Sequence, residues 1–377
     1  MDLALSEQQE RLKATAREFL EKECPTSYVR AMEEDEKGYS PQLWKKIADL
    51  GWLGLPFPEE YSGSNGSFLD LTVLLEEMGR ACFPGPFFST VVLSGLLLFD
   101  AATRERKAEL LPKIASGDLI CTLALTEPSN SYEASGVALE ASPEGVDYAL
   151  NGTKLFVTDA HIADYMICVA RTKEAGVKAD GITLFLVDAR SAGLSTTLLK
   201  TIGGDKQCEV IFDKVKVSQD SIIGKADRGW PVIERTLERA AVGKCAEMVG
   251  GGQQVVEMAI SYAKERQQFG HPIGSFQAIQ FHCADMLTDI DISRYLTYEA
   301  AWKLDQGLPH SMEVAVAKAG VGDAYHRVVA LGHQVIGGIG YTEDQDMHLY
   351  FNRAKAAELL FGGADFHRER IAQELGL

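Results

Sequence analysis

The chain has 377 residues, room for two to three units of roughly 150 residues each, which excludes a mini-protein or a lone binding module. Hydrophobic residues make up 46% of it, enough for large cores, yet no run approaches the roughly 18 apolar residues that a membrane span needs. Thirty-seven Lys and Arg against 54 Asp and Glu leave a formal charge of −17, a field that opposes capture of nucleic acid or of anionic membrane surfaces.

The N-terminus, Met1-Asp-Leu-Ala-Leu-Ser-Glu, is acidic and lacks the basic and apolar regions of a signal peptide, so the expectation is a cytoplasmic protein. From Ser6 to about Asp118 the period is helical. Ser6 with Gln9 forms a capping box for a helix from Glu7 to Cys24. Ser40-Pro41 opens Gln42 to Leu50, Asp70 opens Leu71 to Arg80, and two more helices follow near Val91 to Phe99 and Thr103 to Ala115. Residues 1–118 therefore read as an α-helical domain.

The texture changes at Leu119, where short β-branched and aromatic runs alternate with turn signals. Strands are expected at Ile120 to Leu125, Val137 to Ala141, Asp147 to Asn151, Leu155 to Thr158, Tyr165 to Arg171, Ile182 to Asp188, Leu194 to Leu199 and Glu209 to Val217. Asn151-Gly152 reads as a hairpin turn between two of them. Residues 119–225 form an expected small antiparallel β-barrel.

Helical periodicity returns at Trp230. Helices are expected at Trp230 to Lys264, Phe276 to Asp305, Ser311 to Leu331 and Gln345 to Leu375, the last broken near Gly362-Gly363, so 226–377 reads as a four-helix bundle. The fold class is α+β, in the order α, β, α. Seven cysteines carry no CxxC pair and sit mostly in apolar runs, as buried free thiols in a reducing compartment do, and no metal site is expected.

Three segments could carry chemistry. Leu125-Thr126-Glu127-Pro128 ends a strand and Lys154-Leu-Phe-Val-Thr158 follows about 30 residues later; together they would offer backbone donors, Thr hydroxyls and the Phe156 ring at one barrel mouth, a setting for a flat ring with hydrogen-bonding edges. In Arg266-Gln-Gln-Phe-Gly270 a helix stops and turns before Phe276-Gln277; Arg266 is either solvated or placed for a diphosphate. Gln334-Val-Ile-Gly337-Gly338-Ile-Gly340 is a glycine-rich helix exit that lets a ligand approach the backbone.

Together with Ala284-Asp285-Met286, these motifs, in this order and spacing across nearly the whole chain, resemble the flavin-dependent acyl-CoA dehydrogenases. The resemblance implies α,β-desaturation of an acyl-CoA thioester by bound FAD, a carboxylate base for the α-proton, and reoxidation by an electron-transfer flavoprotein. It places Leu125, Thr126, Phe156 and Thr158 at the isoalloxazine. Arg266, Phe269, Gln277, Gln334, Gly337 and Gly338 would reach the adenosine diphosphate part in a neighbouring subunit, which implies a homo-oligomer or a heterotetramer with a second family subunit.

Two departures stand out. The family's small-residue stretch ending Gly-Ser-Asp is replaced by Ser129-Asn-Ser-Tyr-Glu133, and the usual C-terminal base is replaced by Gly362 within Phe361-Gly-Gly-Ala364. Gly362 keeps a backbone N–H able to polarise a thioester carbonyl. Glu247, in an otherwise apolar run, shares a helix face with Gly243, Gly250 or Gly251, and Gln254. Burial raises a carboxylate's pKa toward the range of a general base, so Glu247 is the replacement candidate, against a structural ion pair or Asp365. Two readings stay open: a dehydrogenase for branched, cyclic or steroid side-chain acyl groups, or a non-dehydrogenating relative, either an FAD-dependent acyl-CoA lyase of desulfinase-like type or the helper subunit of a heteromeric enzyme.

Overall fold

The computed structural model describes residues 4–174, 177–342 and 345–377; Met1, Asp2 and Leu3 of the acidic N-terminus lie outside them. The N-terminal layer holds α1 (Glu7–Glu23), α2 (Thr26–Glu34), α3 (Pro41–Asp49), α4 (Phe68–Arg80), α5 (Leu96–Ala101) and α6 (Arg104–Ala115). The Ser6–Gln9 capping box forms as expected. Helix α2 is an addition to the expected elements: it follows Pro25, and no side chain caps it. Helix α4 starts earlier than Asp70 because Ser67 is its cap, while the Asp305 carboxylate accepts from the N–H groups of Phe68 and Leu69 at 2.6 and 2.8 Å. The segment expected as one helix near Val91 is a π-helical turn, Phe88–Gly95, running into α5.

The middle layer is an eight-stranded sheet built from β1 (Cys121–Ala124), β2 (Glu140–Glu144), β3 (Asp147–Thr158), β4 (Tyr165–Arg171), β5 (Ile182–Asp188), β6 (Leu194–Leu199), β7 (Gln207–Val217) and β8 (Ile222–Ile223). Neighbours run β6-β7-β3-β2-β4-β5-β8, largely antiparallel, with β1 joined parallel to β4. Asn151-Gly152 is not a turn: β3 runs through it, and the hairpin lies between β2 and β3 instead. Gly152, at φ +145°, sits where the β3–β7 register shifts, and a second shift falls between Lys154 and Val157. Such bulges bend the strand and re-aim its side chains.

The C-terminal layer packs α7 (Trp230–Glu265), α8 (Gln277–Asp305) and α9 (Ser311–Ile336), with α10 (Met347–Leu359) and α11 (Ala364–Glu374) on α9; the expected break at Gly362-Gly363 separates the last two. At 36 residues α7 is about 54 Å long and spans the molecule. One hydrophobic core joins both helical layers, and a smaller one fills the sheet.

Candidate active site

The crossing of α4 and α7 sets the geometry of the site. A Cβ at Gly250 would stand 1.7 Å from the Glu76 carbonyl oxygen, and one at Gly79 would stand 2.1 Å from that of Glu247, so only glycine lets the two backbones meet here. Gly251 and Gly252 likewise face Tyr325 and Ile290. The glycines expected to share a helix face with Glu247 serve helix packing, and Gln254 lines a different depression, with Arg17 and Arg80. Beside the crossing opens a cleft of about 1050 Å³, open mouth included, walled by α4, the π-helical turn, the end of β3, the loop before β7, α7 and α10.

Glu247 and Thr158 both line this cleft. Glu247 keeps 25% of its side chain exposed and pairs with Lys244 one turn earlier, so it is less buried than its apolar neighbours suggested. The Lys244 ammonium lies 4.2 Å from the centre of the Phe88 ring, a cation–π contact. Phe88 in turn stacks on Phe361, centroids 5.6 Å apart. Phe361 lines both this cleft and a smaller pocket beside Tyr132 and His367, and so separates the two.

Gly362 is buried behind Phe361 and does not line the cleft. Its φ is +96°, and a Cβ there would stand 2.4 Å from Phe366 Cδ1 and 2.9 Å from His367 Nε2, so no side chain fits without a shift. The Lys318 ammonium donates to the carbonyls of Gly362 and Glu358 at 2.8 and 3.0 Å, and burial pulls Lys318 down to about 8. Burial pushes His367, whose ring sits 3.0 Å from the Phe361 carbonyl, down to about 4. Asp365 is exposed and bonded to Arg368, away from the cleft.

At the sheet, the Lys154 ammonium donates to Glu127 at 2.7 Å and to the Leu125 carbonyl at 3.0 Å, both inside the protein. Glu127 also accepts from the N–H groups of Ala138 and Leu139. This pair ties the β1 exit to β3, where the Leu155 N–H donates to the Thr126 carbonyl at 2.8 Å. With Lys154 turned inward, the bulge turns Phe156 out: its φ is +55° and 45% of it is exposed. Phe156 thus presents an outward aromatic face on positive-φ backbone two residues before Thr158. The Tyr132 hydroxyl of the altered Ser129–Glu133 stretch interacts with the Thr126 side chain and the Phe361 backbone.

Of the expected cofactor residues only Thr158 lines the cleft; Leu125, Thr126 and Phe156 do not, and the others lie farther off. Helix α7 stops at Glu265, and a two-residue turn at Phe269-Gly270, both with positive φ, closes a short hairpin. Arg266 and Gln277 are exposed there, and Phe269 is 89% exposed. At the end of α9, Gln334 is exposed, and Cβ atoms at Gly337 and Gly338 would meet nothing within 4 Å. Both groups face outward, away from their own chain's cleft.

Asp159 escaped sequence reasoning. It follows Thr158, lines the cleft at 4% exposure and accepts from the Ser89 hydroxyl at 2.6 Å; burial, opposed by that bond and aided by Asp205, pushes it up to about 7. A carboxylate directly after the Leu155–Thr158 run was the available signal.

Family models describe the same three layers: acyl-CoA dehydrogenase N-terminal domain over residues 6–118, middle domain over 122–215 and C-terminal domain over 227–376. The chain belongs to the acyl-CoA dehydrogenase family. It is 32% identical over 384 residues, covering 100% of both chains, to the probable acyl-CoA dehydrogenase YngJ of Bacillus subtilis (strain 168). Butyryl-CoA dehydrogenase from Megasphaera elsdenii superposes with a TM-score of 0.92 at 28% identity over 100% of each chain. A chain of the ChsE4-ChsE5 complex from Mycobacterium tuberculosis gives a TM-score of 0.91 at 28% identity, covering 100% of this chain and 99% of that one. These acyl-CoA dehydrogenase relatives are oxidoreductases, and the family is one of FAD-binding flavoproteins.

Proposed function

We propose that this chain desaturates an acyl-CoA thioester between Cα and Cβ, with Glu247 as the base. The observation that carries this reading is the joint presence of Glu247 and Thr158 on one cleft, while the position of the family's usual base, Gly362, has no room for a side chain. Phe156, Leu125, Thr126 and Thr158 would hold the flavin ring of FAD, which would supply the acceptor for the β-hydrogen, with an electron-transfer flavoprotein as the onward electron acceptor. The Glu247 carboxylate takes the α-proton; the Cα–H and Cβ–H bonds break and the double bond forms. Lys244 holds Glu247 at the cleft, and Lys318, gripping the Gly362 carbonyl, fixes the turn that carries Phe361 into the cleft wall.

Arg266, Phe269, Gln277, Gln334, Gly337 and Gly338, facing outward, hold the diphosphate and adenosine of a neighbour's cofactor, which makes the working form an oligomer, a tetramer of one chain type or of two. With the base on α7, branched, cyclic or steroid side-chain acyl groups are the proposed substrates, as in lipid or steroid degradation. The seven free cysteines, six of them buried, suit a cytoplasmic protein, and no helix of the described residues is long and apolar enough to cross a membrane. A second reading, a helper subunit of a heteromeric dehydrogenase, is favoured by the Phe88–Phe361 stack between cleft and outer pocket. Purification of the chain alone decides between them: a yellow protein bleached anaerobically by an acyl-CoA supports the enzyme, and a colourless one that gains flavin only with a second family subunit supports the helper.

A further inference from the structure

The polar end of the cleft asks for something an alkyl chain cannot provide. Asp159 is 4% exposed, and its one side-chain hydrogen bond, from Ser89, uses Oδ2. Asp205, on the loop before β7, accepts from Gln207 through Oδ2 at 2.5 Å, while its Oδ1 is buried with no hydrogen-bond partner. Both aspartates line the cleft. Gly203 keeps space open beside them, since a Cβ there would stand 3.0 Å from Asp205 Oδ1. A buried acceptor without a donor costs about 1–3 kcal/mol, so Asp205 Oδ1, with the Asp159 carboxyl on the same cavity, marks a place where a ligand supplies the donor.

The charge of the cavity selects the kind of donor. Its lining carries three carboxylates, Asp159, Asp205 and Glu247, and three cations, Lys206, Lys244 and Arg353. Lys244 pairs with Glu247, Arg353 pairs with Glu33 at 2.9 Å, and Lys206 donates to the Glu33 carbonyl at 2.8 Å. The signs cancel, so an ammonium gains nothing net, whereas a neutral O–H can donate to Asp205 Oδ1. Met78, Phe83 and Phe88 supply the apolar walls for the carbon skeleton.

We propose that Asp159 and Asp205 form a subsite for a hydroxyl group on the acyl moiety, so that the substrate is a hydroxylated acyl-CoA rather than a plain hydrocarbon one. The inference rests on the acyl-CoA reading of this cleft and specifies its substrate.

The test is calorimetric titration of the FAD-loaded protein with pairs of cyclic acyl-CoA esters of one skeleton, with and without a ring hydroxyl, alongside anaerobic flavin reduction by the same pairs. The hydroxylated ester binds tighter by on the order of 10–100-fold, and in Asp205→Ala and Asp159→Asn this ratio falls toward one. Equal affinities, a preference that survives both variants, or no binding by either ester overturns the subsite. Flavin reduction answers the separate question: esters that bind with hydroxyl preference but never bleach the flavin uphold the subsite and sink the desaturase reading, whereas bleaching without hydroxyl preference does the reverse.

Discussion

Lys154 in the sheet and Lys318 in the helical bundle are 0% and 1% exposed, yet they are satisfied in different ways. Lys154 meets a carboxylate, Glu127, and with it clamps the β1 exit to β3 beneath Phe156. Lys318 bonds two carbonyls at the end of α10, and burial lowers it to about 8. The first arrangement joins an ammonium to a carboxylate behind Phe156; the second holds the Phe361-Gly362 turn with backbone carbonyls alone. Burial alone therefore does not say what a charged residue does; its partner does.

The largest expected effect breaks the first clamp. Lys154→Met leaves Glu127 buried without its cation and costs about 3–5 kcal/mol, read by urea unfolding, with loss of bound flavin. Lys318→Met removes donors only from carbonyls, and the expected loss is about 1–2 kcal/mol, with flavin content retained. Equal costs for the two variants would erase the distinction drawn between them.

Asp159 sharpens the comparison as a buried carboxyl bonded to a hydroxyl instead of a cation. Its pKa is raised in the folded state to about 7, against about 3.9 unfolded. Its contribution is fully present below the unfolded value and lost as the pH rises through about 7. Asp159→Asn should flatten that slope between about pH 4 and 8 and match or exceed the wild type in thermal stability at pH 8; an unchanged slope would show that another group sets it.

The order of layers was legible because hydrophobic period changes from helical to alternating at Leu119 and back at Trp230. Asn151-Gly152 misled because the dipeptide that makes a tight turn also suits a bulge, and only the pairing partner β7 decides between them. The shared face of Glu247 and the α7 glycines was legible from spacing, but what packs on it, here α4, was not, because spacing does not name the partner. Glu247 was legible as an odd acidic residue in an apolar run, while its pairing with Lys244 depends on side-chain reach. Asp159 and Asp205 are 46 positions apart and meet only through the β3–β7 sheet edge and its loop, a juxtaposition absent from any local pattern.

The most direct test of the base follows flavin reduction by acyl-CoA in anaerobic stopped flow, comparing wild type with Glu247→Gln. Glu247→Gln is expected to keep its flavin and its acyl-CoA binding while reduction slows by about 10²–10⁴-fold. A Glu247→Gln protein that bleaches at the wild-type rate would contradict that assignment and place the base elsewhere.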